Sequence, residues 1–413
     1  MATACEVATL IVILIFFVLG ILLAIQSVVA LRDGYKFLAF VRRSRNQPPR
    51  DYAPLAAVVI PCKGVDAEWD ANLGAFLAQD YPACQIIFVV ASEKDAAYPR
   101  LAETVKKEVG EGIKTSLVVA GFAEGRGEKV NNLLRAFTAV DPAAEVLVFA
   151  DIDARPRRDW LRSLIAPLED SAVTVSTGFR WYLPGENFAT QLRAAWDTSI
   201  ATLLGDHDRN FAWGGSMAIR ADDFRRLRVA EEYWPYTASD DYALTRAVRE
   251  AGGRIRFEPR CLVATRDNSS FRAFLRWANR QIIITRVYAP HLWRLGMAAH
   301  ALYAITMVLG LGLILVPGPS LPAQLGVAAL LVAIQLLGVA KGRLRSIAAR
   351  EQFPEEAGNL KCWGSCYWRL APLVPWVMLY NFVVAGFVRR IEWRGTVYEL
   401  RSMNEVRVLR RET

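Results

Sequence analysis

From residue 7 to residue 31 the chain is apolar except for Thr9, Gln26 and Ser27. A helical run of this length reaches across a bilayer core of about 30 Å, and a lone segment in lipid satisfies its backbone groups only as a helix. A cleaved leader is the competing reading. Its apolar region is shorter, however, and here Glu6 rather than a basic stretch precedes the run. The sequence therefore predicts an uncleaved anchor over residues 1–31. Arg32, Lys36, Arg42, Arg43 and Arg45 follow at once, and the bias of cationic residues toward the cytoplasm places the next region there.

Further apolar stretches cover about 296–317, 321–340 and 370–388, the last containing Pro372 and Pro375. If all three crossed, Arg389, Arg390 and Arg394 would lie outside, against the same charge rule. Backbone broken by proline is tolerated at membrane depth where protein covers it, so the last stretch is expected to be re-entrant or interfacial. A true crossing with an exposed tail is the alternative.

With 413 residues, 53% of them hydrophobic, and a formal charge of +9, the chain has room for one large soluble domain besides the membrane segments. No nucleic-acid motif accompanies the basic residues near the apolar runs, so anionic lipid headgroups explain them better than nucleic acid does. Of the six cysteines only Cys362 and Cys366 lie close together. No Cys-x-x-Cys or Cys/His cluster exists to hold zinc, and the cysteines read as reduced, mostly structural thiols. Residues 45–54, with Pro48, Pro49 and Pro54, read as the linker into the soluble domain.

Beyond that linker, residues 56–60, 85–91, 115–120 and 145–150 read as strands, and 66–78, 97–109 and 128–140 as helices. The β-α-β order implies an α/β domain with a mostly parallel, nucleotide-binding type of sheet. Unbroken apolar strands such as EVLVFA belong in a sheet covered on both faces, and such sheets bind ligands beyond the carboxyl ends of their strands. Pro61 and Lys63 fall at one such end, Glu93 and Asp95 at the next, and Asp151 and Asp153 at a third. An Asp-x-Asp pair there suits a hard cation, Mg²⁺ or Mn²⁺, which shares its oxygen ligands between carboxylates and substrate phosphates. The same pair occurs often in surface loops, so its position carries the functional weight.

The ordered series VVIPCKGVD (58–66), VVASEKD (89–95), GEKVNNLL (127–134), FADIDA (149–154), WGGSMAIR (213–220) and SDDYALTRAVREAG (239–252) resembles a membrane-anchored family 2 glycosyltransferase, similar to bacterial ceramide glucosyltransferase-like enzymes. The likeness covers about residues 50–295, and the tail IEWRGTVYEL (391–400) resembles the same group. It implies a GT-A-like nucleotide-sugar-binding domain with transmembrane helices at both ends. By position, Glu93 or Asp95 would hold the uracil or its ribose, while Lys129 and Asn132 would lie near the donor nucleotide. Asp151 and Asp153 would hold the metal on the diphosphate, and Asp241 would be the catalytic base beside Asp240.

The chemistry independently wants these residue types. A cation stabilises charge on a departing diphosphate, and a carboxylate opposite accepts the proton of the attacking hydroxyl. The competing reading of SDDY is a helix start, with Ser239 as N-cap and Asp240 and Asp241 favouring the helix dipole. The family's Gln/Arg-x-x-Arg-Trp motif is incomplete. Arg276 and Trp277 match its second half, Ala273 occupies its first position, and Arg272 lies one place too early. Arg276 is then expected at the diphosphate with help from Arg280 or Gln281, on a helix that also reads as basic and amphipathic, anchored to lipid by Trp277, Tyr288 and Trp293. Trp213, Gly214 and Gly215 would shape the sugar and acceptor pocket or form a plain turn. Residues 191–205 have helical spacing and read as packing rather than a binding box.

The organisation expected is an anchor (1–31), a basic juxtamembrane linker (32–54), a cytoplasmic catalytic domain (55–268), an interfacial helix region (269–295), a C-terminal membrane region (296–390) and a basic tail (391–413). The expected function is inverting transfer of one sugar from a nucleotide-sugar donor, UDP-linked by the resemblance, to a membrane lipid hydroxyl at the inner membrane. A processive polysaccharide synthase would need more spans and the complete motif. A non-catalytic sugar-nucleotide-binding membrane protein would be expected to lose the metal or base carboxylates, which are present.

Overall fold

The computed structural model describes residues 4–47, 51–107 and 112–411. The chain opens with α1 (Ala4–Arg45), then alternates β1 (Ala56–Pro61), α2 (Trp69–Leu77), β2 (Cys84–Val90), α3 (Ala97–Thr104), β3 (Ile113–Val119), α4 (Glu128–Ala136) and β4 (Val146–Ala150). The helix expected over 97–109 ends at Thr104, and residues 108–109 lie outside the described residues. There follow α5 (Trp160–Ile165), β5 (Val173–Tyr182), α6 (Phe188–Ala201), β6 (Ser216–Arg220), α7 (Ala221–Arg226), α8 (Asp240–Glu250) and β7 (Arg254–Thr265).

These strands form one mixed α/β sheet of seven, in the order β3-β2-β1-β4-β6-β5-β7. All neighbours pair in parallel except β6, which runs antiparallel to both β4 and β5. The apolar runs are continuous because both faces are covered. Ala56, Val58 and Ile60 of β1 pack beneath Trp69, Phe76 and Trp160. Ala57 and Val59 meet Val130, Leu133, Phe224 and Trp234 on the other face.

The expectation of a linker over 32–54 is corrected, since residues 32–45 continue α1. Phe37, Leu38, Phe40 and Val41 bury against Trp181, Phe257 and Tyr367, with the Phe37 ring 6.4 Å from Trp181 and 6.2 Å from Phe257. Arg42, Arg43 and Arg45 fall in the last turn, where cations favour the helix dipole. Arg42 also pairs with Glu351 at 2.6 Å. Of the proline stretch, residues 48–50 lie outside the described residues.

After the sheet come α9 (Phe271–Tyr288), α10 (Pro290–Leu315), α11 (Leu321–Gln352), α12 (Ala357–Trp363), α13 (Cys366–Arg369) and α14 (Val374–Phe387). Among the described residues, three helices, α1, α10 and α11, are long and apolar enough to cross a membrane. They share a cluster that includes Phe16, Leu23, Met307 and Leu331, while Leu10, Leu14, Leu22, Leu315 and Leu325 remain more than half exposed. The 14 residues of α14 extend about 21 Å, less than the bilayer core. Pro372 lies before that helix and Pro375 in its first turn, where its missing N–H costs no helix bond.

The tail is not merely basic. It forms a three-stranded antiparallel sheet, β8 (Arg390–Trp393), β9 (Thr396–Ser402) and β10 (Glu405–Arg411). Cys62, Cys84, Cys261 and Cys366 are free and buried, and Cys362 is free and exposed.

Candidate active site

Strand β4 ends at Ala150 and delivers Asp151 and Asp153 to the rim. Arg180, from β5, reaches both, at 3.3 Å from Asp151 and 2.6 Å from Asp153. Burial pushes the Asp153 carboxyl up, but Arg180 outweighs it and holds Asp153 at about 2. Lys129, in the first turn of α4, lies 2.9 Å from Asp151 and 3.2 Å from Asp240, and donates to the Gly214 carbonyl at 3.0 Å. Burial disfavours its charge, yet Asp151, Asp240 and Asp241 more than compensate and keep it protonated. Asp240 is 4% exposed. Burial, opposed by Lys129 and reinforced by Asp241 and Asp151, raises it to about 6.

The start of α8 differs from a capped helix. Ser239 holds the N-cap position with extended backbone but makes no side-chain cap bond. Its hydroxyl donates instead to Asp241 Oδ1, which also accepts from the Tyr242 N–H at 2.8 Å. The Gly214 N–H donates to Asp241 Oδ2 at 3.2 Å. The carboxylate of Asp241 is thereby fixed from two sides. A Cβ on Gly214 would run into Asp240 and Lys129, and one on Gly215 into Trp213 and Asp151. The two glycines let backbone approach the charged cluster, so the pair is more than a turn.

Asp151, Asp153, Lys129, Asp240, Asp241, Pro61 and Lys63 line one cavity of about 2120 Å³, together with Trp277, Arg280 and Gln281. Arg276 is exposed and absent from its wall, so α9 turns Arg280 and Gln281, and not Arg276, toward the cluster. Arg280 donates to the Glu392 carbonyl at 3.2 Å. Glu93 is exposed, and Asp95 accepts from Gly64 N–H at 2.8 Å and Ala97 N–H at 2.9 Å. Both lie off the cavity wall, and Asp95 ties the loop after β1 to the start of α3. Asn132 is buried one turn beyond Lys129 with its Oδ1 unpartnered, also off the wall.

Other residues of the site carry no motif. Besides Arg180, α6 contributes Asp197, which is 4% exposed with Oδ2 unpartnered; burial raises it to about 7 against the pull of Arg193 and Arg180. Arg193 sits 4.0 Å from the Tyr182 ring and 4.2 Å from the Trp277 ring and pairs with Asp267 at 2.5 Å. Residues 191–205 thus mix packing with cavity wall. The tail sheet closes another side. Lys63 pairs with Glu128 at 2.8 Å and donates to Thr396 at 3.1 Å. Arg394 donates to the Lys63 carbonyl, and Arg411 lies 3.6 Å from Glu128.

Four carboxylates, two just after β4 and two at the start of α8, thus surround two cations, Lys129 and Arg180. Among the described residues no group of three or more His, Cys, Asp or Glu is placed to hold a metal, so these residues form no closed metal cage. Asp151 and Asp153 nevertheless fit a cation that takes one or two carboxylates and completes its sphere with phosphate oxygens and water.

Such a rim of paired acids on a mostly parallel sheet is the setting of group transfer from a nucleotide carrier. Residues 18–406 match the model of glycosyl transferase family 21, and the chain belongs to that family. The protein is a glycosyltransferase. Among solved structures it is similar to a mannosyltransferase from Pyrobaculum calidifontis in complex with GDP-mannose and Mn²⁺, at 17% identity over 92% of this chain and 97% of that one, with a TM-score of 0.47. It is also similar to glucosyl-3-phosphoglycerate synthase from Mycobacterium tuberculosis in complex with Mn²⁺ and UDP-glucose, at 15% identity over 60% and 82%, with a TM-score of 0.36.

Proposed function

We propose that the protein transfers a single sugar, with inversion, from a nucleotide-sugar donor to a hydroxyl of a membrane lipid. The observation that carries this reading is the reach of the cavity. It joins Asp151, Asp153 and Asp241 at the sheet rim to Gln26 and Val29 of α1, Leu295 and Leu302 of α10, and Phe382 of α14, so one space offers charged groups to a diphosphate and apolar walls to a lipid tail.

In this reading the GT-A-like domain is cytoplasmic, and α1, α10 and α11 hold it to the inner membrane. Asp151 and Asp153 would hold a divalent cation, which supplies charge neutralisation to the departing diphosphate. Lys129 and Arg180 are the chain's own cations beside that diphosphate. Pro61, Lys63 and Arg394 border the nucleotide end, while Arg280 and Gln281 border the sugar. Asp241 takes the proton of the acceptor hydroxyl; its two oxygens are already oriented by Ser239, Tyr242 and Gly214. Asp240 keeps Lys129 in place and is a positioning residue.

The test combines titration of UDP and GDP, with Mg²⁺ or Mn²⁺, with a donor and lipid-acceptor screen read by mass detection of product. Asp153→Asn is expected to lose cation-dependent nucleotide binding and turnover. Asp241→Asn is expected to bind the donor normally while turnover falls roughly 100- to 10,000-fold, the usual contribution of a general base. Near-normal turnover by a folded Asp241→Asn protein would remove Asp241 from the role.

A further inference from the structure

We propose that Lys341 and Arg345 form an anion site for a tail-bearing phosphate, the headgroup of an anionic membrane lipid lodged in the cavity. This rests on the reading above only in placing a lipid there. The two residues are four apart on α11 and therefore share a face, and both line the cavity. Arg345 is 8% exposed, and its Nε is buried without a hydrogen-bond partner. Among the described residues, no carboxylate lies within ion-pairing distance of either cation. The nearby acid on α1, Asp33, also lines the cavity and is paired with Lys36 at 3.9 Å.

The neighbouring basic residue on α11 behaves differently. Arg343 is exposed and lies over the Trp368 ring at 5.3 Å. Gly342 is pressed so closely on Tyr367 and Trp368 that a Cβ would not fit. The helix is thus fixed with Arg343 outward and Lys341 and Arg345 inward. Ordinary attraction to the membrane surface accounts for Arg343. It does not account for two like charges, one turn apart, turned into a cavity where no carboxylate touches either and only the more distant Asp33 attracts Lys341, so that they repel each other and lose hydration. A bound anion removes both penalties.

Depth separates a lipid from a free anion. Lys341 follows directly on the apolar part of α11, at the level where a membrane-crossing helix meets the headgroups, and the wall of the same cavity includes Val29, Ala30 and Leu302. A phosphate on the two cations would leave its tail along these apolar walls.

The experiment uses the full chain in nanodiscs of phosphatidylcholine, alone or with phosphatidylglycerol, and reads retained lipid by native mass spectrometry. Wild type is expected to retain phosphatidylglycerol over phosphatidylcholine. In Arg345→Gln that preference should fall about tenfold, the loss of one charge-assisted contact. Arg345→Lys should recover part of it, and the double variant with Lys341→Gln should abolish it. If Arg345→Gln does not fold, Lys341→Gln alone gives the same reading at a less buried position. Equal retention of the two lipids, or an unchanged preference in the double variant, overturns the proposal. So does displacement of phosphatidylglycerol by inorganic phosphate alone, which would identify a soluble-anion pocket. Nucleoside diphosphate affinity measured on the same samples separates failure of this site from failure of the glycosyl-transfer reading.

Discussion

Asp240 and Asp241 are adjacent in sequence but sit in different environments. Asp241 is braced by three donors, whereas Asp240 is nearly sealed against Lys129. The raised value of Asp240 has a definite sign. A carboxyl at about 6 in the folded protein and 3.8 when unfolded binds more protons folded than unfolded between those values, so its contribution to stability falls as pH rises through that window. Asp240→Asn should therefore flatten the change of melting temperature between about pH 4 and 6. Melting curves of both proteins across that range check this, and parallel curves would show that Asp240 does not titrate there. Asp197, raised to about 7, has the same sign and remains as a background slope in both proteins. Asp151, Asp153, Lys129 and Asp241 were legible because each lies in a short local pattern at an element end. Arg180 and Asp197 were not. Each occupies an ordinary position in a strand or helix; the pairing of β5 with β6 and β7 brings Arg180 to the rim, and the packing of α6 on β5 brings Asp197.

Among the elements, the first four strands fell within two residues of expectation, because a strand buried on both faces leaves an unbroken apolar run. The tail sheet was missed for the opposite reason. Its strands, such as EVRVLRR, alternate apolar with basic residues and are half-exposed, and its value lies in long-range contacts. The two-residue connection Arg394-Gly395 has both φ angles positive, as a tight hairpin turn needs, and this aims Arg394 at the Lys63 carbonyl and Asp66. Arg411 closes the other end over Glu128, whose Oε2 has no hydrogen bond. Loss of a partner to a buried charge costs several kcal/mol when the charge is left alone. Lys63 still neutralises Glu128, so Arg411→Gln should cost only about 1 kcal/mol. A urea or thermal midpoint for the variant measures this, and a drop of several kcal/mol would mean that Lys63 does not hold Glu128 alone.

For the whole molecule, removal of residues 1–31 should leave a protein that still sediments with membranes through α10 and α11, whose apolar surfaces remain. Recovery as a soluble, monodisperse protein would overturn the assignment of those helices to the bilayer. The C-terminal half of α1 is a different matter, since Phe37 and Phe40 are bolted to Trp181 and Phe257 in the catalytic domain. Because α1 is unbroken from Ala4 to Arg45, it acts as a ruler. A straight helix translates about 1.5 Å and turns about 100° for each residue, so in the proposed topology the register between residues 31 and 37 would set both the height of the acid cluster above the hydrocarbon and the direction in which the cleft faces it.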